Sequence, residues 1–135
     1  MAEPTFKVSD VLSRVRLIKA DASYLVGSAC LWITDAVIEL YIQAPKSRKN
    51  DLNQVYEFPG TALLTTGEST VPCSIIYMPL IVDYVAARAF MQDADSMDHR
   101  VRASEHFKLF FDRAHLIEYG LPAKQTQVPI SRERN

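Results

Sequence analysis

Apolar residues recur at helical spacing in four stretches of this chain and lose that spacing between them. The pattern is clearest over residues 78–117. Ile81, Val82, Val85, Ala86 and Ala89 fall on one arc, with Asp83, Tyr84, Ala87 and Arg88 on the other side. Further on, Ala103, Phe107, Phe110, Phe111, Ala114 and Ile117 share one stripe, so aromatic knobs face an alanine-lined arc. Asp93, Asp95, Ser96 and Asp98 lie between the two halves and supply a turn, an N-cap and an acid in the first helical turn. A helical hairpin is expected.

Earlier in the chain, Val8, Val11, Leu12, Val15 and Ile18 form one stripe behind Ser9, which reads as the cap of a first helix. In the second helix Leu25, Val26, Ala29, Ile33, Ala36, Val37 and Leu40 make an apolar face, and Pro45 stops the helix. Leu31, Ile38 and Ile42 form a second apolar line roughly opposite. A helix apolar on two sides is either central in its domain or pinned against a neighbour. The expected fold is mainly α, a four-helix bundle with helices at about 9–20, 25–43, 74–92 and 96–117. Residues 1–117 form one helical domain in this reading, and 118–135, with Gly120, Pro122, Pro129 and no periodicity, form an extended tail.

Residues 45–72 are the least regular part. Residues 55–58 and 62–66 flank Pro59-Gly60, a pair suited to a type II turn, so the region reads as a long loop or a weak β-hairpin. A connection of this length inside a small domain is commonly a contact loop.

Composition narrows the function classes. At 135 residues, 48% hydrophobic and 23% charged, the chain has the make-up of one globular domain. Fifteen basic and sixteen acidic residues give a net charge of −1, without the basic footprint of an autonomous nucleic-acid binder. The opening MAEPTFKVSD lacks the pattern of a secretory signal, so synthesis and residence in the cytoplasm are expected. The stretch around 31–42 is broken by Thr34, Asp35 and Glu39, and no membrane span is read. Cys30 and Cys73 are read as free thiols.

No catalytic residue, cofactor or metal ligand is assigned. Four glycines cannot build a phosphate-cradling loop, and His99, His106 and His115 are seven and nine apart rather than three or four. Asp93, Asp95 and Asp98 lack the glycine and terminal glutamate of a calcium loop.

Ile81-Val82-Asp83-Tyr84-Val85, Arg88-Ala89-Phe90 and Gln92-Asp93, with the later aromatic stripe, resemble the small helical head-to-tail adaptor proteins of tailed bacteriophages. The segment from Asp10 to Arg16 is similar to that family's first helix. Trp32-Ile33-Thr34-Asp35-Ala36, leading to Ala44-Pro45, is similar to its second. The usual opening of that second helix is replaced here by Tyr24-Leu25-Val26-Gly27, and the resemblance fades over the loop and is absent from the tail.

The resemblance implies a structural virion protein of the head–tail junction, assembled in the host cytoplasm. It would form a homo-oligomeric ring, a dodecamer by analogy, joining the portal protein to a downstream tail or stopper protein. DNA would pass through the channel without sequence-specific binding, and no membrane is involved. Candidate subunit contacts are Leu31, Ile38, Ile42, Asp83, Arg88, Leu109 and Leu116. Candidate portal or tail contacts are Lys46, Arg48, Lys49, Arg132 and Arg134. The alternative is a small cytoplasmic helical regulator that binds a protein partner or nucleic acid through residues 46–49.

Overall fold

A computed structural model of the chain describes residues 4–19, 26–50, 52–56, 64, 66–92 and 96–120. Four α-helices run in order: α1 at Val8–Ile18, α2 at Val26–Gln43, α3 at Met78–Gln92 and α4 at Met97–Tyr119. Short 3-10 turns follow α2 at Pro45–Arg48 and precede α3 at Ile75–Tyr77.

The centre of the bundle is α3. It packs most extensively against α4 and also against α1 and α2. Both of its sides are therefore covered, and Asp83 and Ala87, on the expected polar side, are buried with Val85 and Ala86. The run Ile75–Gln92 is long and apolar enough to span a bilayer, but 61% of it is buried inside the bundle, as a core helix requires.

The start of α1 differs from expectation. Ser9 lies inside the helix, and the N-cap is Lys7, whose backbone N–H donates to Asp10 Oδ2 at 2.8 Å. The first-turn amides need no serine cap because the loop supplies carbonyls. Val8 N–H donates to Ser69 O at 3.0 Å and Ser9 N–H to Gly67 O at 2.9 Å, while Val71 N–H donates to Phe6 O. Ser96 does cap α4, accepting from His99 N–H, with Asp98 in the first turn. At the other end Gly120 adopts the left-handed conformation, φ 76° and ψ 7°, and donates to Leu116 O.

No β-strand or hairpin exists among the described residues, which corrects the expectation for 45–72. The only pairings there are two isolated antiparallel bridges, Lys7 with Thr70 and Lys49 with Val55. Val55 turns back on the 3-10 turn, where Tyr56 N–H donates to Arg48 O. The apex sits at Asn50 and Asn53. Asn50 Oδ1 accepts from Leu52 N–H and Gln54 N–H, and Asn53 takes φ 63°. Residues 57–63 and 65, including Pro59-Gly60, lie outside the described residues, as do Asp93, Asp95 and the tail beyond Gly120.

Candidate assembly surface

Asp83 and Arg88 hold the bundle together. Asp83 is 5% exposed on α3, and its carboxylate accepts from Arg113 at 2.6 Å and lies 3.0 Å from His106 Nδ1, both on α4. His106 also stacks on Phe90, which packs among His99, Lys19 and Arg102. Arg88 donates to Asp35 of α2 at 3.2 Å, with its guanidinium over the rings of Trp32 and Tyr84. Tyr84 in turn meets Phe107 and Phe110 edge-on, so one chain of contacts links α2, α3 and α4.

The remaining contact candidates face outward. On α2, Leu31 is 57% exposed and Ile42 59%, and Ile38 is exposed between them. Spacings of four, three and four residues place Leu31, Asp35, Ile38 and Ile42 on one line. The opposite face carries Ala29, Ile33, Ala36, Val37 and Leu40, all fully buried.

Leu109 and Leu116 are exposed on a different flank of α4. His115 marks the side of α4 that meets α2, its Nε2 lying 2.7 Å from Gln43 Oε1. Leu109 and Leu116 lie about 100–120° round the helix from it, at about 100° per residue. The molecule therefore carries two separate apolar lines.

Among the basic candidates, Lys46, Arg48 and Lys49 are all exposed. Lys46 is fixed to the end of α4, its N–H donating to Glu118 Oε1 at 3.0 Å and its Nζ lying 3.4 Å from Glu118 O. Beside it Pro45, Lys46, Lys49, Asn50 and Asn53 line an open hollow of about 500 Å³. Arg132 and Arg134 lie outside the described residues.

Sequence reasoning missed Leu17, which is 86% exposed at the rim of a cleft of about 280 Å³ lined also by Arg14, Pro79, Val82 and Arg113. Its signal was present, because Leu17 stands off the stripe made by the other apolar residues of α1. Ile76, exposed in the turn before α3, had no periodicity to betray it.

Three titratable groups are shifted by burial. Loss of water raises the pKa of the Tyr41 hydroxyl well above its ordinary 10.0, and Cys73 nearby adds to this. Tyr41 donates its hydroxyl proton to the Pro72 carbonyl. Burial likewise raises Tyr77 and the Cys30 thiol. Cys30 and Cys73 are both buried, and neither forms a disulfide. Among the described residues no three His, Cys, Asp or Glu side chains converge to hold a metal ion.

No family model, curated protein or solved structure matches the chain.

Proposed function

We propose that this protein is a structural subunit of a ring, a head-to-tail adaptor of a tailed bacteriophage that joins the portal to the tail around the DNA channel. The observation that carries the reading is the line Leu31, Ile38 and Ile42, exposed on a helix whose opposite face already fills the core. Apolar surface of this kind marks a contact with another molecule.

Two further features favour a ring over a symmetric pair. A head-to-tail contact uses two different patches, and repetition about an axis closes it. The α2 line and the Leu109/Leu116 line are two patches on different flanks, suited to meet between neighbouring copies. A net charge of −1 also suits a conduit, since many phosphate contacts would hold DNA in place instead of letting it slide. The resemblance to the adaptor family rests on residues that fold into α1, α2, α3 and α4, and the twelve-fold number comes from that analogy alone.

Negative-stain imaging of the purified protein with a portal tests this. Rings, alone or seated on the portal, are expected, and failure to form either sinks the reading.

The hollow lined by Lys46 and Lys49 favours a second reading, a regulator that binds an acidic partner or nucleic acid. Salt-dependent DNA binding, lost when Lys46, Arg48 and Lys49 are neutralised together, would support it. Absence of binding at low salt removes its nucleic-acid form.

A further inference from the structure

We propose that the cleft between α1 and α4 is the seat in which a second copy of this chain lodges its α2 line, with Glu39 of that copy against Arg14. The inference rests on the reading of the α2 line as a subunit contact and names the surface that receives it.

The cleft suits an aliphatic side chain beside a carboxylate. The start of α3 forms its base, where Val82 is 6% and Asp83 5% exposed, while Leu17 and Pro79 stand exposed at the rim. Arg14 of α1 lines it from one side and Arg113 of α4 from the other. Its volume of about 280 Å³ exceeds the roughly 150 Å³ that holds a benzene molecule, so the side chain of an isoleucine and a carboxylate fit together.

Charge decides what enters. Arg113 donates to Asp83, whose carboxylate also lies against His106, so the base of the cleft is already neutralised. Arg14 is exposed, and among the described residues it makes no ion pair. Asp10, one turn before it on α1, is engaged by the Lys7 N–H. The cleft therefore presents a cation beside apolar surface.

The α2 line brings the complement. α2 contains no lysine or arginine, and of its two acids Asp35 pairs with Arg88. Among the described residues Glu39 meets only the side-chain amide of Gln43. Glu39 adjoins Ile38 and stands three residues before Ile42, so a carboxylate and two aliphatic side chains approach together. Two α2 lines set against each other would instead gather two Glu39 carboxylates, with no lysine or arginine from either helix.

The cleft also runs on into the second apolar line. Leu109 stands four residues before Arg113 and Leu116 three after it, so both lie beside the guanidinium on the helix surface. Glu105 and Asp112 flank the far edge of that line, about 80–100° round α4 from Arg113, and Asp112 is paired with Lys108. One contact thus uses two different faces, as a closing ring requires.

Sedimentation of the full chain tests the seat. Arg14→Glu is expected to raise the concentration at which the chain associates about tenfold or more, and Glu39→Arg in the same chain to restore it. A cleft variant, Arg14→Glu with Leu17→Asn, and a line variant, Leu31→Asp with Ile38→Asp, complete the test. Each alone is expected to stay monomeric with the wild-type urea midpoint. Mixed in equal amounts they are expected to form a one-to-one dimer and nothing larger, because one intact line and one intact cleft remain per pair. A wild-type chain that stays monomeric overturns the proposal. So does a cleft variant that associates as the wild type does, a charge swap without rescue, or a mixture that stays monomeric. Rings formed on a portal by the cleft variant overturn the seat and leave the adaptor reading standing. A chain that passes both tests yet never joins a portal sinks the adaptor reading and leaves the contact.

Discussion

Asp83 is an acid in the middle of an apolar helix, and its partners explain how it stays there. Its carboxylate is buried, whereas the Arg113 side chain that neutralises it is 45% exposed. The two halves of this pair are therefore unequal. Arg113→Met removes the guanidinium from a buried carboxylate and is expected to cost about 2–3 kcal/mol. Asp83→Asn leaves Arg113 free to regain water and is expected to cost about 1 kcal/mol. Urea denaturation of both variants checks the ranking, and the reverse order would mean that Arg113 does not stabilise the Asp83 charge.

Tyr41, Tyr77 and Cys30 give the protein a pH dependence of a definite sign. Each has a raised pKa in the fold, so the unfolded chain releases these protons first. The stability they contribute is present below the ordinary values of 9.0 for the thiol and 10.0 for the phenols, and falls as pH rises through and beyond them. Tyr41→Phe is expected to flatten the alkaline decline while losing about 1 kcal/mol at neutral pH with its hydrogen bond to Pro72. Denaturation curves at neutral pH and at about pH 10.5 measure both effects.

At the scale of elements, each helix end was readable only where its partner was local. The Ser96 cap bonds to a residue three positions on, and the sequence shows it. Ser96→Ala is expected to cost about 1 kcal/mol, read as a lowered urea midpoint with an unchanged slope. The α1 start was misread because its amides bond to Gly67 and Ser69, some sixty residues away in the chain. The α3 face assignment failed for a related reason. Periodicity separates two sides of a helix, but when both sides are covered the polar one simply goes inside with its partners. The hairpin expectation rested on a turn-forming dipeptide, whereas Val55 bridges back to Lys49 through an asparagine turn.

For the whole molecule, the useful distinction is between residues that stabilise the subunit and residues free to join it to another. Leu31→Asp and Ile38→Asp alter exposed positions and are expected to change unfolding stability by no more than about 0.5 kcal/mol. In the ring reading the same substitutions abolish assembly. Unfolding curves, light scattering and imaging of the same samples separate the two effects, and intact rings from a well-folded double variant would remove α2 from the contact.

The sequence by itself determined the four helices, the core stripe of α1, that of α2 from Ala29 to Leu40, the Ala103, Phe110 and Ala114 part of the α4 stripe, whose expected member Ile117 is exposed, and the second apolar line on α2, because each is a periodicity carried by neighbours within a few residues. Only the tertiary structure decided that α3 is the centre, that Asp83 and Arg88 bind helix to helix, and that residues 67–71 complete α1. Those outcomes depend on which distant groups meet, and a buried charge or an unpaired amide is resolved by whatever partner the packing brings within reach.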